Sequence, residues 1–198
     1  MKFYHRRVDK PRAVGILAGS FNPPTVAHVE LAWAAASVVD EVLCVVPSKF
    51  PHKEYFGATL EQRLEMLSAA GISAPHSIAT TEQGLFVEIA RECREHYDPG
   101  TRLYFICGRD AAERILHWDY GRPGVVEKML KEFELLVAPR GGAYAPPQAY
   151  RDRIHPLKAS GGLEGVSSTE VRDRIAGGES WEHLVPEGII ERVREIYS

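Results

Sequence analysis

Ten residues near the start of the chain, Gly19-Ser20-Phe21-Asn22-Pro23-Pro24-Thr25-Val26-Ala27-His28, combine groups suited to holding an anion. With a helix opening at Val26, Thr25 and His28 lie three residues apart on one face and offer a hydroxyl and an imidazole to the same phosphate. Gly19 permits close backbone approach, the two prolines stiffen the turn, and the helix start supplies N–H groups and the positive end of a dipole. The bland alternative is a threonine N-cap followed by a polar histidine on a solvated first turn, and the segment alone does not choose between them. A second candidate lies about 140 residues later, at Val166-Ser167-Ser168-Thr169-Glu170-Val171-Arg172. Ser168 and Thr169 stand four and three residues before Arg172, so a helix beginning there presents hydroxyls, N–H groups and a guanidinium to one anion. Alone, this piece reads as an ordinary Ser/Thr cap with an exposed arginine.

These segments must be placed by the elements around them. Residues 13–18 (AVGILA), 41–46 (EVLCVV), 102–107 (RLYFIC) and 133–138 (FELLVA) are short apolar runs ending at Gly or Pro, which predicts buried strands, with 76–80 a weaker fifth. Helical patterns follow from about Val26, from Thr59 with Gln62 three residues on as a capping box, and over 85–96, 110–118 and 125–131. Two more come after Ser167 and after Pro186, a good first-turn proline. Residues 139–163, rich in Gly, Pro, Ala and Tyr, read as an irregular surface excursion. Strands alternating with helices predict an α/β fold with a central parallel sheet and helices on both faces. Ligands in such sheets bind beyond the carboxyl ends of the strands, near the topological switch point. That directs attention to residues 19–28, 47–58, 108–118 and 139–140.

The chain has 198 residues, which predicts one domain, with a small helical C-terminal subregion at about 166–198. Its 24 Lys+Arg against 27 Asp+Glu exclude a generally basic nucleic-acid binder, and no basic stripe with interleaved aromatics appears. No apolar run approaches the ~20 residues that cross a bilayer. The polar, basic residues 1–12 do not resemble a secretory leader, so a cytoplasmic protein without membrane attachment is expected. Cys44, Cys93 and Cys107 are widely spaced and form no CxxC pair, which predicts packed, reduced thiols rather than a zinc or disulfide framework. The histidines outside the first segment show no metal spacing. Trp33 and Trp181 read as helix-packing residues.

Taken together, Gly19-Ser20-Phe21-Asn22-Pro23 through Thr25 and His28, with Ser167-Ser168-Thr169 and Arg172, resemble the nucleotidyltransferase superfamily marked by (H/T)xGH and ISSTxxR. More closely, the chain is similar to the nicotinamide/nicotinate mononucleotide adenylyltransferases. Pro51-His52-Lys53, Gly108-Arg109-Asp110, Trp118, Ala138-Pro139-Arg140 and the Leu184-Val185-Pro186 core of the closing segment extend the likeness over nearly the whole chain. Two departures stand out: Thr25 where bacterial nicotinate-type enzymes usually carry His, and residues 80–89 (TTEQGLFVEI) in place of a Thr-x-Asp-Thr-Leu-like run.

The resemblance implies a Rossmann-like nucleotidyltransferase fold and transfer of AMP from ATP to nicotinate or nicotinamide mononucleotide, with release of pyrophosphate. It implies that His28, Thr25 and Arg172 carry the catalysis, with His28 on the α-phosphate. Gly19, Ser20 and Phe21 would shape the phosphate loop, with Lys53 close by. Ser167, Ser168 and Thr169 would hold the β- and γ-phosphates, Gly108 and Asp110 the adenosine, and Trp118 and Arg140 the acceptor. Mg²⁺ would ride on ATP without dedicated protein ligands, the partners being ATP and a mononucleotide. A homo-oligomer stays open. So do a phosphopantetheine adenylyltransferase, a cytidylyltransferase and a nucleotide-binding regulator without turnover.

Overall fold

The computed structural model describes residues 1–48, 57–72, 75–139, 144–159, 162 and 165–198. Four apolar runs form the predicted buried strands, β2 (Ala13–Ala18), β3 (Glu41–Pro47), β5 (Arg102–Gly108) and β6 (Glu134–Ala138), and the weaker one forms β4 (His76–Thr81). Two short strands, β1 (Lys2–His5) and β7 (Ile154–Pro156), complete a seven-stranded sheet of order β1-β4-β3-β2-β5-β6-β7. Every neighbouring pair is parallel except β1–β4, so the predicted parallel sheet is a mixed one with a single antiparallel edge.

Both edge strands correct the sequence reading. β1 lies in the polar N-terminal stretch, and only alternate residues of its Lys-Phe-Tyr-His are partly covered, so no apolar run announces it. β7 lies inside the segment expected to be irregular. It is three residues long, buries Ile154 and ends in Pro156, the economy that a sheet edge allows.

Alternation along the inner strands sends side chains to two faces. Leu17, Val42, Cys44, Ile106 and Leu136 face one core. It is covered by α1 (Val26–Ala36), α2 (Leu60–Ala69) and the C-terminal α6 (Ser168–Gly177) and α7 (Ile190–Tyr197). Val14, Ile16, Leu43, Phe105 and Val137 face the other, under α3 (Phe86–Arg94), α4 (Arg109–His117) and α5 (Val125–Glu132). Helices on both faces are therefore as expected, and the C-terminal helices close the α1 face.

The capping box at α2 is present, with Gln62 N–H donating to Thr59 Oγ1 (3.2 Å) and Thr59 N–H to Gln62 Oε1 (2.8 Å). All three cysteines are buried and free, and burial pushes each thiol up to about 12, as expected of packed groups. Trp181 is buried, whereas Trp33 is 43% exposed and sets its ring edge-on to His76 at 4.5 Å, so the packing reading holds for the first only. Among the described residues, no helix is long and apolar enough to cross a membrane.

The C-terminal part meets α2 with little clearance. A Cβ added to Gly188 would lie 2.7 Å from the carbonyl oxygen of Ala69, a backbone atom that cannot turn aside. Gly188→Ala is therefore expected to cost about 1–3 kcal/mol in urea unfolding, the range for overpacking. Gly100→Ala, whose Cβ meets nothing within 4 Å, should be neutral or stabilising by no more than about 1 kcal/mol.

Candidate active site

The strand order reverses between β2 and β5, because β2 leads outward to β3 and β4 while β5 returns to its other side. Register pairs Ile16 with Phe105, which brings the carboxyl ends of the two strands, leading into Gly19 and Gly108, side by side. Gly19 N–H donates to Val45 O (3.1 Å), tying the same spot to β3. The atoms nearest an added Cβ on Gly19 are those of the Phe21 ring, at ordinary contact distance, so packing among the described residues does not demand glycine there.

From Gly19 the chain turns sharply into α1. Phe21 is buried with a left-handed backbone (φ +48°), and its ring lies 5.0 Å from that of His28. Thr25 caps α1: its Oγ1 accepts from His28 N–H (3.4 Å), while Thr25 N–H donates to His28 Nδ1 (3.0 Å). His28 Nδ1 also lies 2.7 Å from Thr25 Oγ1. With Nδ1 used as acceptor, the neutral ring carries its proton on Nε2, which is then a donor. The expectation that hydroxyl and imidazole both face one phosphate is therefore corrected. Thr25 is fully buried and its hydroxyl is engaged with His28, so it positions the ring instead of presenting itself. His28 is half-buried, and desolvation lowers its pKa to about 4.

The two separated motifs come together here. Ser167 caps α6, its Oγ accepting from Glu170 N–H at 3.1 Å. Ser168 Oγ donates to Pro23 O (2.7 Å) and Arg172 Nη1 to Asn22 O (2.5 Å), across 145 and 150 residues of chain. Arg172 Nη2 also reaches Thr169 Oγ1 (3.3 Å). The N-terminus of α6 is thus locked against the loop that opens α1. Two helix starts, whose first-turn N–H groups have no intrahelical acceptor, converge on one end of the sheet.

The other expected residues divide. Gly108 caps α4 beside Gly19, and Asp110 is exposed in the first turn of α4. Trp118 caps the C-terminal end of α4, about 15 Å along the helix from Gly108 at 1.5 Å per residue. At 62% exposure it is not a core residue, and it lines a cleft of about 490 Å³ with Asp119, Tyr120 and Arg122. Lys53 and Arg140 lie outside the described residues.

Two contributors to the site escaped the sequence reading. Arg63, 1% exposed, donates from Nη1 to Ser20 O (3.1 Å) and Pro47 O (3.3 Å), stapling the β2–α1 loop to the end of β3. A signal existed: Leu60, Arg63, Leu64 and Leu67 share a helical face at apolar spacing, where a cation must be satisfied by burying it against acceptors. Asn22 belongs to the first segment, but nothing in its residue type or spacing pointed to its carbonyl as the group that takes Arg172.

Because its native pKa lies below the ordinary 6.5, His28 favours the neutral form, and the unfolded chain takes up a proton first as pH falls. Its contribution to stability is therefore complete above about pH 6.5 and lost between there and about pH 4. NMR titration of the His28 ring should show a neutral imidazole down to about pH 4. Saturating ATP should move the midpoint upward, since anionic oxygens favour the charged ring.

Comparison with known proteins places this architecture. The cytidylyltransferase-like family model matches residues 16–174. A Thermus thermophilus protein named probable nicotinate-nucleotide adenylyltransferase is 32% identical over 89% of this chain and 93% of its own length. Proteins of the same name from Moorella thermoacetica (29%; 94% and 91%) and Anaeromyxobacter dehalogenans (31%; 93% and 95%) are similar throughout. Among solved structures, the Plasmodium falciparum nicotinic acid mononucleotide adenylyltransferase complexed with APC shares the fold, with TM-score 0.61 over 91% of this chain and 96% of that one at 16% identity. The chain accordingly belongs to the cytidylyltransferase-like family and groups within it with the nicotinate-nucleotide adenylyltransferases.

Proposed function

We propose that this protein transfers AMP from ATP to nicotinate mononucleotide, forming the dinucleotide and pyrophosphate. The observation that carries the reading is the lock between α1 and α6, which brings two weak phosphate motifs together at the switch point. The relatives' names favour nicotinate mononucleotide as acceptor and make the phosphopantetheine and cytidylyl readings less favoured.

The acceptor's phosphate is already an anion at neutral pH, so the reaction needs alignment and charge stabilisation more than a base. An acceptor phosphate oxygen attacks the α-phosphorus in line, the bond from that phosphorus to the bridging oxygen breaks, and pyrophosphate leaves with the electron pair. His28 Nε2–H donates to an α-phosphate oxygen, held in that orientation by Thr25 and the Phe21 ring. The start of α6, with its first-turn N–H groups, Ser167, Thr169 and Arg172, meets the β- and γ-phosphates, assisted by Lys53, while the Ser168 hydroxyl stays on Pro23 O. Gly108 and Asp110 meet the adenosine. The groups gathered at the loops are hydroxyls, N–H groups, an imidazole and a guanidinium, which suit phosphate oxygens, so Mg²⁺ enters as part of the ATP substrate.

Incubation of the protein with ATP, Mg²⁺ and nicotinate mononucleotide should yield the dinucleotide and pyrophosphate by chromatography and mass spectrometry. Nicotinamide mononucleotide and phosphopantetheine should be poorer acceptors. His28→Ala should lower kcat by about 10²–10³-fold, the cost of removing one preorganised donor. No dinucleotide with any acceptor, while ATP still binds, would leave a nucleotide-binding regulator in its place.

The exposed Trp118 is assigned to the pyridinium ring of the acceptor, which attracts an aromatic face as ammonium groups do. Trp118→Ala should raise KM for the mononucleotide about ten-fold and leave KM for ATP unchanged in initial-rate kinetics.

A further inference from the structure

Asn22 is almost fully buried, at 6% exposure, and bonds to residues from three other parts of the chain. Its backbone carbonyl takes Arg172 from α6 (2.5 Å). Its side-chain Oδ1 accepts the N–H of Ala58, ahead of α2, at 3.2 Å, and also the hydroxyl of Tyr197. Tyr197 is the last residue of α7 and the penultimate residue of the chain. The three segments meet tightly: at Gly57 (φ +102°) a Cβ would come within 2.9 Å of Asn22 Oδ1 and 3.0 Å of the Tyr197 ring. Asn22 directly follows Phe21, whose left-handed backbone sets its ring against His28.

We propose that Tyr197 is a positioning residue for nucleotidyl transfer. Its hydroxyl holds the Asn22 carboxamide, which fixes the peptide that presents the Asn22 carbonyl to Arg172 and the Phe21 ring to His28. The end of α7 thereby sets the spacing between the α1 and α6 starts. Tyr197 reaches the chemistry only through Asn22, and removing its hydroxyl should disturb alignment more than affinity. Misplacement of reacting groups by an ångström costs up to about 10²-fold in rate, so a loosened loop should register clearly in kcat. The assignment rests on the adenylyl-transfer reading above.

The test compares Tyr197→Phe, which keeps the ring, with Val193→Ala, which opens a cavity at a fully buried position on the same helix outside the site. Expected for Tyr197→Phe is a kcat about ten-fold lower with both KM values within two-fold, and a displaced His28 ring resonance. Val193→Ala, assayed below its melting temperature, should lose more stability yet keep wild-type kcat. Wild-type kcat in Tyr197→Phe would overturn the proposal, as would kcat losses in the two variants that track their losses of stability. If the wild-type protein makes no dinucleotide, the transfer reading fails separately. Titration with inorganic pyrophosphate then decides: a His28 resonance displaced from its wild-type position in Tyr197→Phe, free and bound, upholds the positioning, and a wild-type resonance overturns it.

Discussion

Two backbone carbonyls, those of Asn22 and Pro23, take the guanidinium of Arg172 and the hydroxyl of Ser168 and so hold the start of one helix against the start of another. A polyanionic substrate requires many donors converging from several directions, and donors of like charge and dipole resist being brought together. Neutral acceptors between them satisfy the helix starts without introducing a carboxylate that would repel the ligand. The rest of the site follows from that junction, because the loop carrying those carbonyls also sets Phe21, Thr25 and His28.

The parallel core of the sheet supplies the frame. Its parallel strands all end on one side, and the order reverses between β2 and β5, so the loops after them open a crevice there with no special device. What remains is orientation, and it is achieved by internal satisfaction of polar groups. Arg63 holds the loop down through two carbonyls, and Thr25 occupies one nitrogen of His28 so that the other is the donor. A buried threonine thus fixes the orientation of an imidazole.

The fold was legible wherever apolar periodicity was strong. Among the described residues, the inner strands and α1–α7 lie close to where apolar runs and capping residues put them, because buried faces and helix starts both leave local signals. The edges were not legible. β1 and β7 bury little, so Lys2–His5 and Ile154–Pro156 leave hardly any periodic trace and depend on a neighbour's unpaired backbone groups. Trp33 misled for a related reason: its helix has small residues on the covered side, and the half-exposed tryptophan lies over the buried His76.

For the site, residue type and spacing alone determined that Thr25–His28 and Ser167–Arg172 are helix starts furnished with donors, since capping chemistry is local. Only the tertiary structure decided that the two starts are bonded to each other, that the Thr25 hydroxyl is turned to His28, and that Asn22, Arg63 and Tyr197 join the surrounding segments. Those contacts join residues as far apart as 175 positions, and their geometry depends on how helices pack on both faces of the sheet. No local pattern encodes a distance of that kind, because the free energy that closes it comes from the burial of two cores rather than from the residues that meet.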